Sequence, residues 1–319
     1  MPILCENIGT FLNHCEFERN FSTHTVKAYR LDLAQFNRFA LQHCGSGDET
    51  RTEREHLRAY ARSLHHYKPR SQRRKLAAVK SLFSFLEREG LVEPNPARDL
   101  RVDVRVGRTL PRTVSFSTLQ RFFGSMYANC HLQMPRARSR DLAIRDVALF
   151  ELMFSSGMRV SEISNLRVGA VDLERGAVRV RGKGNKERLI PLCDIEVLSA
   201  LIAYINLTET MREADAFFFT NRFGRRLSEQ SIRMALKRHT KAASLESITP
   251  HMFRHTVATM LLEEGVDLRF IQNFLGHSSI VTTTIYTHVN DKSQRDVLSH
   301  RHPRRLLGSL GSVQSVRIQ

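Results

Sequence analysis

The sequence predicts a mainly α-helical protein of two domains, with a small antiparallel β-sheet inserted in the second. Three observations lead there. Apolar residues recur at three- and four-residue steps over most of the chain. A stretch from Val171 to Leu192 alternates apolar and polar positions around a Gly182-Lys183-Gly184-Asn185 turn. Between the two helical halves lie Glu93-Pro94-Asn95-Pro96, which cannot continue a helix, and the aperiodic basic segment Arg101–Pro111. With 319 residues in all, each half is long enough to bury a core.

The elements follow in order. Phe11–Leu12, then Val26, Tyr29, Leu33, Phe36 and Phe39–Ala40, give the first helices their apolar stripes, with Ser22 or Thr23 as an N-cap. Leu76, Val79, Leu82, Phe83 and Leu86 continue the pattern until Gly90. The boundaries expected are a helical domain over 1–100, a linker over 101–111, a second domain over 112–304 and a tail over 305–319. The second domain opens with a helix near Phe116–Ala128. Ala128–Arg140, with Pro135 and three arginines, reads as a surface loop. A helix from Asp141 to Ser155 ends at Gly157, and another covers Val160–Leu166. After the sheet, Thr249-Pro250 starts a helix that Gly265 ends. Leu268–Leu275 forms a short helix stopped by Gly276, and a last helix is expected to carry Tyr286.

Lys and Arg number 49 against 32 Asp and Glu, a formal net charge of +17. Such an excess points to a polyanionic partner, nucleic acid first and an anionic membrane second. It is concentrated: residues 51–80 hold ten basic groups and two acidic ones. Arg70, Arg73, Arg74, Lys75 and Lys80 are expected on the polar side of their helix, where phosphate oxygens would meet them, and Arg105 and Arg108 sit in the basic linker. No run of about 18 apolar residues is present and Met1–Thr10 lacks the features of a leader, so a soluble cytoplasmic protein is expected. The five cysteines are widely spaced without a C-x-x-C, which argues for reduced thiols rather than disulfides or a zinc site.

The second half holds residues suited to phosphodiester chemistry. Arg159 starts a helix, Lys183 sits at a hairpin tip, and His251 and Arg254 share a helix face. His277 follows a glycine helix stop, and Tyr286 comes nine residues later. Two guanidiniums can clamp one phosphate and stabilise its pentacoordinate transition state. A tyrosine is a competent nucleophile when positive charge lowers its pKa and a base takes its proton, and a lysine can protonate a leaving 5′-oxygen. His251 and His255 have the spacing of a helical zinc pair, but Met252 stands where the catalytic glutamate would be. The Gly-Lys-Gly turn is no P-loop, because Ala177 and Gly184 occupy the required Gly and Ser/Thr places. No metal and no cofactor is expected.

These residues carry a resemblance to the tyrosine recombinases, the integrase family, and most closely to Xer-type members. Residues 145–163 resemble the box that bears the first catalytic arginine, here Arg159, with Glu162 as its acidic helper. Residues 182–188 resemble the hairpin of the catalytic lysine, Lys183. His251-Met252-Phe253-Arg254, Leu275-Gly276-His277 and Thr283-Thr284-Ile285-Tyr286 resemble the remaining catalytic boxes, and His302-Pro303-Arg304 the Xer C-terminal motif. Thr25–Tyr29, Arg73–Leu76 and Phe85–Gly90 resemble the family's core-binding domain. The resemblance implies a two-domain C-shaped clamp on duplex DNA. It implies a homo-tetramer on paired sites, or a hetero-tetramer with a related recombinase. Strand exchange would pass through a 3′-phosphotyrosine and a Holliday junction, in chromosome-dimer resolution or mobile-element integration and excision, beside the nucleoid. Core-binding helices begin almost at once, so no arm-binding domain is expected. A type IB topoisomerase would share the chemistry, and a catalytically silent DNA-binding regulator would share the fold. The Xer-like spacing and the intact Arg-Lys-His-Arg-His-Tyr set argue against both.

Overall fold

A computed structural model describes residues 2–44, 53–100, 112–131, 137–182, 187–207, 213–276 and 291–308. The chain divides into two compact units, Met1–Thr109 and Leu110–Gln319, each with its own core.

The first unit is helical: α1 (Pro2–Asn13), α2 (Thr23–Cys44), α3 (Glu53–Ser63) and α4 (Pro69–Arg88). Ser22 caps α2, its Oγ accepting from Thr25 N at 3.2 Å. Pro69 occupies the first turn of α4, where a missing N–H costs nothing. Leu76, Val79, Leu82, Phe83 and Leu86 of α4 are buried against Leu33 and Phe36 of α2 and Tyr60 of α3. Ala97 and Leu100 fold back onto the same core.

The basic residues of α4 do not all face outward as expected. Arg70 and Arg73 are exposed and Lys80 is half-buried. Lys75, expected to face a partner, is buried: its Nζ donates to Asp32 Oδ1 at 3.0 Å and lies 4.8 Å from the Tyr67 ring centroid. Asp32 is itself buried in α2, and a carboxylate there demands cations. Arg74 supplies the second one on Oδ2 while keeping a partly exposed side chain. The helix therefore turns Lys75 inward to neutralise a buried charge. Arg105 and Arg108 lie outside the described residues.

The second unit is built around α6 (Ala137–Ser156), whose Val147, Leu149, Phe150, Leu152 and Phe154 have no exposed surface. Polar residues at one end and apolar ones all round the other mark a central core helix. It is covered by α5 (Phe116–His131), α8 (Ile195–Ile205) and α10 (Pro250–Glu263). The segment Ala128–Arg140 is thus helical at both ends, not a loop throughout. Met126, Tyr127 and Cys130 keep the three-residue apolar step going and are buried. Short α7 (Val160–Ser164) follows, then strands β1 (Val171–Asp172), β2 (Ala177–Arg181) and β3 (Glu187–Pro191) in an antiparallel sheet of order β1-β2-β3. β1 stops before Leu173 because Asp172 Oδ1 accepts from Arg175 N at 2.9 Å and starts the turn. The unit is completed by α9 (Glu229–Ala242), α11 (Leu268–Leu275) and α12 (Asp291–Arg301). α12 begins after Tyr286, which lies outside the described residues.

The core also runs past residue 304. Arg304 is fully buried, with Nε 2.6 Å and Nη2 2.9 Å from the two oxygens of Glu151. Tyr127 donates to the same carboxylate at 2.9 Å, and Leu307 is buried in the main cluster. The His302-Pro303-Arg304 segment is a peg in the core, and Leu307, from the segment expected as a tail, is buried with it. Among the described residues, no helix is long and apolar enough to cross a membrane.

Candidate active site

Arg159 is the N-cap of α7, and Glu162 folds back one turn to meet it. Glu162 Oε2 accepts from Arg159 N at 2.8 Å, and Oε1 accepts from Arg159 Nη1 at 2.9 Å. The pair expected from the sequence is present. A third partner was not expected. Arg188 on β3 meets the same carboxylate with both nitrogens, Nη1 to Oε1 at 3.1 Å and Nη2 to Oε2 at 2.9 Å. Burial alone would raise the Glu162 pKa, but the hydrogen bond and charge of Arg188, then those of Arg159, hold it below the ordinary value.

The sheet register explains Arg188. It stands opposite Val180, and Val178 stands opposite Ile190, so these four side chains share one face. Val178, Val180 and Ile190 are buried on that face, while Leu189 points outward and is exposed. A guanidinium on the core side must find a carboxylate and carbonyls there, and it does.

Those carbonyls belong to the end of α11. Arg188 Nε donates to Phe274 O at 3.1 Å, Arg254 Nη2 to Leu275 O at 2.5 Å and Arg159 Nη2 to Gly276 O at 2.8 Å. Arg254 Nη1 also donates to Gly157 O at 2.7 Å. A helix C-terminus offers unpaired carbonyls and a negative dipole end, which suits cations. Gly276 takes the left-handed conformation at φ +68°, and a Cβ there would come within 2.9 Å of Arg188 Nη1. Glycine is required on both counts. The three arginines thus gather where the chain leaves α11 for His277.

Thr249 caps α10, its side chain accepting from Met252 N, and this sets His251 and Arg254 on one side of the helix. His251 is exposed and Arg254 is buried. Both line a cleft of about 350 Å³ with Arg112 and His255, walled by Met252 and Ala258. Burial, then the nearby Arg159 charge, pulls the Arg254 pKa down to about 10, with Glu162 opposing, so it stays charged at neutral pH. Three guanidiniums against one carboxylate leave a local positive excess. That excess suits an anion whose charge grows in the transition state.

The structure therefore brings Arg159, Glu162 and Arg254 together, with His251 beside Arg254. Lys183, His277 and Tyr286 lie outside the described residues, although β2 and β3 flank the first and Gly276 precedes the second. Arg188 is the residue that sequence reading passed over. Its signal was the strand alternation, since inward Ile190 and Leu192 place position 188 on the same side.

Residues 126–293 match the family described as the phage integrase family, and residues 8–90 match the N-terminal SAM-like domain of phage integrases. The chain belongs to the phage integrase family, and it is an enzyme of the tyrosine recombinase kind. It is 37% identical to a tyrosine recombinase of Agathobacter rectalis over 96% of this chain and 99% of the relative. It is also 37% identical to tyrosine recombinase XerC of Thermodesulfovibrio yellowstonii, over 93% of this chain and 96% of the relative. In fold it is similar to XerH recombinase bound to its difH substrate before cleavage, with TM-score 0.67, 23% identity and coverage of 92% and 84% of the two chains. It is likewise similar to a lambda integrase tetramer on a Holliday junction, with TM-score 0.62, 15% identity and coverage of 89% and 80%.

Proposed function

We propose that this enzyme is an Xer-type site-specific recombinase whose two domains clamp duplex DNA, with Tyr286 as its nucleophile. The observation that carries the reading is the convergence of Arg159 and Arg254 on the end of α11, one residue before His277. These two guanidiniums would hold the non-bridging oxygens of the scissile phosphate. The Tyr286 oxygen forms the new bond to phosphorus as the bond to the 5′-oxygen breaks. The phenol proton passes to a base, for which His251 and His277 are the candidates, and Lys183 protonates the departing 5′-oxygen. The product is a 3′-phosphotyrosine and a free 5′-hydroxyl, and attack by a 5′-hydroxyl from the partner duplex reverses the step. Bond energy is retained, so neither metal nor ATP is called for. Arg70, Arg73, Arg74 and Lys80 would contact the backbone, together with Arg105 and Arg108. Four protomers would act on two paired sites, all copies of this chain or two kinds of related recombinase, beside the nucleoid in chromosome-dimer resolution or mobile-element movement.

The test is to treat fragmented genomic DNA with the purified protein in EDTA and to sequence the covalently captured fragments. A recombinase gives adducts at a discrete short site. Scattered adducts with relaxation of supercoils would mean a topoisomerase, and DNA binding without adducts would mean a silent regulator. On the captured site, Arg159→Ala or Arg254→Ala should slow cleavage by about 100-fold or more, as loss of a transition-state donor does.

A further inference from the structure

We propose that Arg188 is a positioning residue of the cleavage reaction: through Glu162 it fixes the guanidinium of Arg159, and through Phe274 O it fixes the chain leaving α11. The proposal rests on the reading of Arg159 as a phosphate clamp. Every nitrogen of Arg188 already donates to protein, two to Glu162 and one to Phe274 O. Its side chain is 14% exposed, against 35% for Arg159. Arg188 is therefore placed to hold other groups, and Arg159 to reach a substrate.

The two arginines share one carboxylate, and the sharing sets the position of Arg159. Glu162 meets Arg188 in a two-point fork and gives the Arg159 side chain a single contact, to Nη1. Arg159 Nη2 is left to reach Gly276 O. Without Arg188, the buried carboxylate would lose the cation that meets both of its oxygens. The remaining guanidinium would be drawn into the vacated fork, because Arg–carboxylate pairs favour two parallel bonds. That movement takes Arg159 off Gly276 and away from the scissile phosphate. Lysine cannot replace the fork, since an ammonium offers a point charge without planar geometry. Arg188 also stands on the hairpin that carries Lys183, so a second route of action exists and the test must separate the two.

Single-turnover cleavage at saturating protein, with DNA affinity measured in parallel, reads the effect on a nicked suicide substrate carrying the captured site. Arg188→Ala should lower the cleavage rate on the order of 10- to 100-fold, the size seen when a partner that orients a site group is lost. Affinity should change by less than about threefold, because Arg188 touches no phosphate in this assignment. Adding Glu162→Gln to Arg188→Ala should recover part of the rate, since a neutral amide no longer draws Arg159 away. A strand with a bridging 5′-phosphorothiolate, which leaves without a proton, should leave the defect unchanged. Full rescue by sulfur would overturn the proposal and move Arg188 to the support of Lys183. Unchanged cleavage, or a loss confined to affinity, would overturn it outright. Should Arg188→Ala fail to fold, Arg188→Lys decides: cleavage slowed about tenfold at unchanged affinity supports the fork, and wild-type cleavage refutes it. If the wild-type protein forms no adduct at all, it is the recombinase reading that fails.

Discussion

Arg159, Arg254 and Lys183 make separable contributions in the proposed reaction, and single substitutions can tell them apart. The arginines stabilise phosphate charge whichever atom leaves, so their loss should be felt on any substrate. As the proposed general acid, Lys183 would protonate the 5′-oxygen, which as a bare alkoxide leaves poorly. Lys183→Ala should therefore be slow on ordinary DNA and largely restored on a 5′-phosphorothiolate strand, measured as single-turnover rates. Equal defects on both strands would assign Lys183 to backbone contact only. His251 and Arg254 were legible in the sequence because three-residue helix spacing puts them on one face. Arg159 with Glu162, and the grouping of the two pairs in one site, came from the resemblance to the tyrosine recombinases. Arg188 was passed over, although its alternation with Ile190 and Leu192 carried a signal, because a cation in a short strand reads as solvent-facing until the register pairs it with Val180 on the buried side.

Helix α4 shows the same limit on a larger piece of structure. Its apolar face was readable from Leu76 to Leu86, and all five expected positions are buried. The fate of the basic residues depended on Asp32, 43 positions earlier than Lys75, and such a tertiary partner leaves no local trace in the sequence. Lys75 and Arg73 should therefore respond in opposite ways. Lys75→Ala leaves Asp32 with Arg74 alone and should lower stability by about 2–4 kcal/mol in urea unfolding, near the cost of breaking a buried pair. Arg73→Ala should change stability by less than about 0.5 kcal/mol, yet reduce the salt dependence of DNA binding by about one phosphate contact. A stable Lys75→Ala protein with a shallower salt slope would return Lys75 to the DNA surface. The end of α5 has a similar history. Pro135 and the arginines of 128–140 suggested a loop, whereas Tyr127 and Cys130 carry the helix on to His131 because their side chains fill the core.

Taken as a whole, the chain places two helical cores in sequence and adds to the second a small sheet and a cluster of arginines at the end of α11. Although α8 and α9 were not among the expected elements, the fold class and the helices that glycine stops bound were readable, because amphipathic spacing and glycine stops are local signals. The depth to which the C-terminal segment enters the core was not, because the Arg304–Glu151 pair joins positions 153 residues apart. All of this serves one chemical claim, that the strand is broken by covalent attack from Tyr286. The most direct measurement is to trap the protein on a suicide substrate, digest both components and identify the nucleotide-linked peptide by mass spectrometry. A Tyr286 nucleophile gives a nucleotide joined through its 3′-phosphate to Tyr286, and no adduct from Tyr286→Phe protein that still binds the site. A phosphonucleotide on any other residue, or an adduct that persists in Tyr286→Phe, would contradict it.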